Sequence, residues 1–355
     1  MNSIILKNYN IHFQTEAYRA LNQYISTKEF SKIIILVDSN THQYCLSSFL
    51  GELAQTEHIE IIEVNPGEAH KSVETCIQIW QSLADLNIDR KAMMINLGGG
   101  IVTDLGGFIA SCFKRGISFV HIPTTLLGMV DAAIGGKNGV NLGALKNQVG
   151  VINPPEMVIV DPSYLATLSQ AEMRSGLAEM IKHGLIADRD YLNSFKDLSQ
   201  FTTEHLTDLI RGSIDIKTKI SENDPTEKGL RKALNFGHTL GHAIESYSMN
   251  SKEFPKLLHG EAVAIGMILA LYISTEISGF YKDDCDDYSN LIRQYFKSVE
   301  FNSDAIKQIK SLLIHDKKNT NGQINFVLLN KIGEPQLDCQ VSDQLIDQAF
   351  AYYQS

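Results

Sequence analysis

The sequence predicts two domains, an α/β domain with a mostly parallel sheet followed by an all-helical domain. Three observations lead to this class. Before residue 160 short continuous apolar runs alternate with helix-length segments. After it helical periodicity takes over. The 355 residues, 44% of them apolar, suffice for two domains with a large core. The boundary is set at 160/161, giving domains 1–160 and 161–355.

The sheet opens at 33–37, Ile-Ile-Ile-Leu-Val, and that run ends at Asp38. Runs at 59–64, 92–97, 119–122 and 157–160 follow. They close on Val64, on the triple glycine 98–100, on Pro123 and on Asp161-Pro162. Unbroken apolar runs fit strands buried on both faces, as in a parallel sheet covered by helices. The plan is Rossmann-like, and ligands of such sheets bind beyond the carboxyl ends of the strands. Here those ends carry Asp38, the glycines, Thr124-Thr125 and Asp161. In the second domain helical periods cover 171–194, 204–222, 232–246, 260–278, 283–297 and 304–314, with one short strand at 324–329. No repeat, low-complexity tract or long linker separates the halves, so an active site is expected in the cleft between them.

Composition narrows the function classes. A net charge of −10 argues against nucleic acid as a partner, though a local lysine cluster can still hold a small anion. Five scattered cysteines without a CxxC read as reduced thiols of a cytoplasmic protein. No charged-then-apolar leader opens the chain, and the apolar stretch 267–273 is short and closed by Glu276. It reads as a buried helix, and no membrane partner is expected.

The densest chemistry lies at 234–245. His238 and His242 stand four apart, on one face if the segment is helical. They are either ordinary helix histidines or groups that share an ion or substrate. His259 in His-Gly-Glu and Glu179 in a separate helical segment favour the second reading. One Glu and two or three His make a Zn²⁺ site with an open position. Lys182 lies three residues after Glu179, and Lys217 and Arg231 flank the loop 222–229. If 231–242 is one helix, Arg231, Asn235, His238 and His242 form a polar stripe, the wall of a cleft. In the first domain, Gly98-Gly99-Gly100 between strand and helix lets a backbone approach a pyrophosphate, or is a tight turn. Asp38 with Asn40 is either a ribose partner or a helix N-cap. The segment 135–147, with Lys137 and Lys146-Asn147, is either an anion cradle or a solvated loop.

Together these segments resemble the 3-dehydroquinate synthase family of sugar-phosphate cyclases. The resemblance is carried in order by Pro66-Gly67-Glu68, Lys71, 98–108, Arg115-Gly116, 122–127, Val130-Asp131, Gly135-Gly136-Lys137, Gly139-Val140-Asn141, Lys146-Asn147, 176–182, Gly229-Leu230-Arg231, 235–245, His259-Gly260-Glu261 and Asp316-Lys317-Lys318. It implies a homodimeric lyase that needs NAD and Zn²⁺ or Co²⁺. The implied reaction turns 3-deoxy-D-arabino-heptulosonate 7-phosphate into 3-dehydroquinate and phosphate. It runs through transient oxidation by NAD, phosphate elimination, re-reduction and an intramolecular aldol closure.

The same resemblance implies the site residues. Glu179, His238 and His259 are the metal ligands, which moves His242 from the metal to the substrate. Asp38, Asn40, Glu68, Lys71, Gly99, Gly100, Ile101, Asp104, Thr124, Thr125 and Thr167 contact NAD, with Lys146 near the nucleotide. Asp131, Lys137, Asn147, Lys182, Lys217, Arg231, Asn235 and His242 line the substrate pocket, joined by Lys317 or Lys318. Arg115 acts across the dimer interface. The substrate's own phosphate can serve as base for its elimination, so no carboxylate base is nominated. Departures from the family pattern are Ile101-Val102-Thr103 after the glycines, Ala69-His70 before Lys71, and Asn138 in GGKNGVN where threonine is usual. Alternatives are a sister cyclase of the deoxy-scyllo-inosose or valiolone type and a metal-dependent alcohol or polyol dehydrogenase. Arg231 with Asn235 favours a carboxylate-bearing substrate.

Overall fold

The computed structural model describes residues 2–55, 57–143, 145–196, 203–313 and 324–355. The chain packs as two units, Met1–Ser169 and Gln170–Ser355. The first holds strands β1 (Ile4–Ile5), β2 (Asn10–Phe13), β3 (Ile33–Asp38), β4 (Ile59–Val64), β5 (Met93–Gly98), β6 (Ser118–Pro123), β7 (Lys137–Leu142), β8 (Leu145–Ile152) and β9 (Met157–Val160). Its helices are α1 (Gln14–Lys28), α2 (Ser39–Thr41), α3 (Ser47–Glu52), α4 (Val73–Asp85) and α5 (Gly100–Cys112).

Seven strands form one sheet in the order β1-β2-β9-β6-β5-β3-β4. Every pairing in it is parallel except β1 with β2. The five strands expected from apolar runs are all present. Strands β1 and β2, which extend one side of the sheet, and the antiparallel hairpin β7–β8 are additions. β1 is two residues long and β7 reads Lys-Asn-Gly-Val-Asn-Leu, so neither carries an apolar run. Much of the segment 135–147 is paired strand rather than loop.

α5 runs through a buried hydrophobic cluster of this unit, shared with Ile34, Leu36 and Met94. Beneath it lies a buried polar chain. His121 Nδ1 accepts from the Asn96 amide at 3.2 Å, and His121 Nε2 donates to Asn138 Oδ1 at 3.3 Å. Asn138 Nδ2 in turn donates to the Asn153 carbonyl at 2.7 Å. A methyl group at Gly106 or Gly107 of α5 would overlap Asn96 or Asn138, so these two glycines make room for the chain. Burial pushes the His121 imidazole down to about 4, against the bond to Asn138, so the ring is neutral. Asn138, the departure from threonine, thus ties the hairpin to the sheet.

The unit break falls nine residues later than the expected boundary. The segment Pro162–Thr167 coils as a 3₁₀ helix and stays with the sheet. Tyr18 of α1 holds it there, through Asp161 Oδ2 at 2.7 Å and the Tyr164 hydroxyl at 3.1 Å.

The second unit contains α6 (Gln170–Ala187), α7 (Arg189–Asn193), α8 (Thr203–Asn223), α9 (His238–Asn250), α10 (His259–Ile277), α11 (Lys282–Tyr295), α12 (Ser303–Leu312), α13 (Asp343–Gln354) and strands β10 (Phe326–Lys331) and β11 (Glu334–Cys339). It is helical rather than all-helical, because β10 and β11 form an antiparallel hairpin. The expectation of one lone strand there is corrected. β11 reads Glu-Pro-Gln-Leu-Asp-Cys, whose alternating exposure hides it from an apolar-run criterion. The expected helix 171–194 divides at Asp188, which caps α7 by accepting from the Tyr191 amide at 2.9 Å. α13 was not anticipated. α10 is long and apolar enough to cross a membrane by composition alone, but 72% of that stretch is buried inside the protein. It packs against α6, α9, α11 and α13 as the centre of the unit.

Candidate active site

Three helices of the second unit bring their chemistry to one point. Glu179 of α6 is fully buried. Its Oε1 lies 3.3 Å from His238 Nε2 and 3.6 Å from His259 Nε2. Its Oε2 pairs with Lys182 one turn later on the same helix. The His238, His242 and His259 rings stand 5.2, 5.5 and 5.7 Å apart by centroid, and one nitrogen of each lies within 4.8 Å of the others. The spacing argument and the resemblance differed over His242, and the geometry brings all three imidazoles to Glu179's neighbourhood.

Close helix contact makes this convergence possible. A methyl at Gly266 of α10 would overlap the Gly237 carbonyl, and one at Gly260 would overlap the Ser175 backbone of α6. Gly237 also has φ +76°, which favours glycine, and it turns the chain sharply into α9. That turn corrects one sequence expectation. Arg231 and Asn235 are not on a helix shared with His238 and His242. They sit on a separate 3₁₀ segment, Leu230–Asn235, on the other side of Gly237.

The site favours positive charge. Burial alone would raise the Glu179 carboxyl, but Lys182, His238 and His259 outweigh it and hold the group well below the usual carboxylate range. Burial would lower His259, yet the facing carboxylates of Glu179 and Glu245 raise it to about 9. The pocket therefore stabilises a cation among its imidazoles. Glu179 Oε1 is buried and makes no hydrogen bond of good geometry. Such an oxygen, facing two imidazole nitrogens, suits a divalent ion bound by N and O ligands.

Around this centre, Arg231 is 2% exposed and its Nη1 donates to the Pro225 carbonyl at 2.9 Å. Asn235 donates to Glu227 Oε1 at 2.8 Å. Lys217 is buried on α8. Lys317 and Lys318 lie outside the described residues.

The first unit gathers a second constellation. Lys71 is buried, pairs with Asp104 of α5, and donates to Asn147 Oδ1 at 2.7 Å. Glu68 accepts from Asn141 at 2.9 Å and stands 4.0 Å from Lys146 Nζ. Burial pushes the Asp104 carboxyl up against the pull of Lys71, with Glu68 and Asp131 adding to the rise. Asn147 was expected with the substrate; here it shares Lys71 with the nucleotide-type residues. Gly99 is the N-cap of α5 and supplies no side-chain cap, which leaves the first-turn amides of Gly100 and Ile101 without one. A Cβ at Gly99 would stand 2.9 Å from Thr125, and one at Gly100 2.9 Å from Ala132, so the strand end is tightly packed as well as open to an anion. Thr124 donates its amide to Gly98 at 3.0 Å. These features fit a pyrophosphate at the helix start.

Five residues stand differently. Asp38 caps α2 in a capping box with Thr41, the cap reading of this residue, and Asn40 is exposed beside it. Lys137 opens β7 with its side chain exposed, and Thr167 is exposed on its 3₁₀ turn. Arg115, with φ +66°, follows the far end of α5, about 20 Å of helix from Gly99. Within its own chain it is not part of the glycine-end cluster. The sequence reading also missed Glu227 and Glu245. Glu245 had a signal: it follows His238 by seven residues, two turns on one helix face.

Residues 61–175 match the family model described as 3-dehydroquinate synthase N-terminal, and residues 176–319 match 3-dehydroquinate synthase C-terminal. A curated 3-dehydroquinate synthase of Parabacteroides distasonis is 38% identical over 335 residues, covering 94% of each chain. Two solved structures share the fold. A 2-deoxy-scyllo-inosose synthase complexed with carbaglucose-6-phosphate, NAD⁺ and Co²⁺ is 26% identical with a TM-score of 0.83, covering 99% of both chains. A 2-epi-5-epi-valiolone synthase from Streptomyces hygroscopicus with NAD⁺ and Zn²⁺ bound is 25% identical with a TM-score of 0.85, covering 100% of this chain and 99% of its own.

Proposed function

The chain belongs to the 3-dehydroquinate synthase family, and we propose that it converts 3-deoxy-D-arabino-heptulosonate 7-phosphate to 3-dehydroquinate and phosphate, as an NAD- and metal-dependent lyase of the shikimate pathway. The observation that carries this reading is the meeting of Glu179, His238 and His259 in a chain matched by both halves of that family.

In this reading Glu179, His238 and His259 hold Zn²⁺ or Co²⁺. Glu68, Lys71, Asp104, Lys146 and the Gly99–Ile101 turn hold NAD with Asp38, Asn40, Thr124, Thr125 and Thr167. When bound, the ion supplies Lewis acidity to the substrate hydroxyls and NAD a hydride acceptor regenerated in each turnover. Arg231 binds the substrate carboxylate with its planar fork, and Lys137, Lys217 and Asn147 bind phosphate oxygens. Asn235 and Asp131 orient hydroxyls. Lys182 neutralises the second oxygen of Glu179 and faces the substrate. His242 takes or gives a proton beside the reacting carbons. The substrate's own phosphate removes the proton for its elimination, so the chain supplies no carboxylate base. We read the enzyme as a homodimer in which Arg115 serves the other copy's site.

The test is phosphate release from the heptulosonate phosphate, compared with sugar phosphates that lack the carboxylate. Turnover restricted to the carboxylate-bearing substrate supports the dehydroquinate reading. Preference for a carboxylate-free substrate replaces it with a sister-cyclase activity, like those of the two solved relatives.

A further inference from the structure

We propose that Glu245 is a positioning residue of the metal centre, holding the His259 ring so that Nε2 faces Glu179. The inference rests on the reading of Glu179, His238 and His259 as ligands.

A neutral imidazole ligates through one nitrogen, and an acceptor at the other fixes which nitrogen is free. His238 follows this rule with a main-chain acceptor. Its Nδ1 donates to the Phe236 carbonyl at 3.0 Å, and Nε2 faces Glu179 Oε1. His259 repeats the arrangement with a carboxylate. Its Nδ1 donates to Glu245 Oε2 at 3.3 Å, and Nε2 again faces Glu179 Oε1.

Glu245 is 5% exposed, and a carboxylate so deep is costly unless it meets donors or positive charge. Its place on α9 sets it against the His259 Nδ1 donor. At seven residues from His238 it shares that ligand's helix face, so one helix delivers a ligand and the group that orients the ligand of the next helix. Charge balance points the same way. Glu179 already divides its charge with Lys182. Glu245 contributes the second negative charge near a divalent ion, and a hydrogen-bonded carboxylate makes the His259 ring a stronger donor to metal.

The test is metal binding without turnover. Zn²⁺ and Co²⁺ affinities are measured by chelator competition in the full-length protein, and the visible spectrum of the Co²⁺-loaded form reports ligand geometry. Glu245→Gln preserves shape and an acceptor but removes the charge; Glu245→Ala removes both. The expected result is roughly tenfold weaker binding in Glu245→Gln and up to about a hundredfold in Glu245→Ala, with altered Co²⁺ bands. If the alanine variant does not fold, the glutamine variant carries the test alone. Unchanged affinity and an unchanged spectrum, beside tight binding by the unaltered protein, overturn this inference and leave the ligand set standing. No metal binding by the unaltered protein overturns the ligand set and this inference together.

Discussion

Arg231 is the residue on which the proposed carboxylate recognition turns. Its guanidinium is buried and gives Nη1 to the Pro225 carbonyl, and the proposed function adds the substrate carboxylate as a second partner. Arg231→Lys keeps the charge but loses the fork, and should cost about 1.5–3 kcal/mol of substrate interaction. The loss should shrink for an analogue without the carboxylate. An equal loss with both compounds assigns Arg231 to bracing the Pro225 loop. His121 gives a second expectation, on stability. Its folded pKa, about 4, lies below the ordinary value near 6.5. Between those values the unfolded chain binds a proton that the folded chain does not. Stability should therefore fall as pH drops from about 6.5 to 4, by at most about 3 kcal/mol from this group, and His121 should contribute no slope above that window. His121→Gln keeps polar atoms without titrating. Urea unfolding across the window should show a shallower acid slope in that variant, and identical slopes would contradict the assignment. Residue types of this kind were readable in the sequence. Glu179, His238 and His259 are legible in the sequence as ligand-type side chains, whereas Glu245 resembles any helix carboxylate. What it faces depends on α10, fourteen residues further on.

At the scale of elements, backbone contact between helices sets how Glu179, His238 and His259 converge. Gly266→Ala should destabilise the second unit by roughly 1–3 kcal/mol through overpacking against Gly237, and should weaken metal binding as α9 and α10 separate. Gly51→Ala is the contrast. Nothing lies within 4 Å of its Cβ position in α3, so it should be neutral or stabilising by about 0.5–1 kcal/mol. Thermal unfolding of the two variants checks the sign of each, and equal effects would show that close contact is not what Gly266 provides. The central strands were legible because burial on both faces leaves unbroken apolar runs. The short strands β1 and β2, the polar hairpin β7–β8 and the alternating β11 lack that signature. The helix expected over 232–246 failed for a local reason. Gly237 adopts a left-handed conformation that apolar periodicity does not register, and it separates Arg231 and Asn235 from the histidine helix.

For the molecule as a whole, the proposed reaction is that of a cyclase that borrows its oxidant and gives it back. The chain's own residues carry the two requirements, a nucleotide-type strand end in one unit and a cation-favouring pocket in the other. A dehydrogenase with the same equipment would release reduced cofactor; the cyclase reading does not allow it to accumulate. The most direct measurement follows phosphate and NADH absorbance together, with the heptulosonate phosphate in large excess over NAD and with Zn²⁺ present. Many phosphates released per NAD, with no lasting NADH absorbance, is the predicted result. One NADH accumulated for each substrate consumed, or no phosphate released at all, would contradict it.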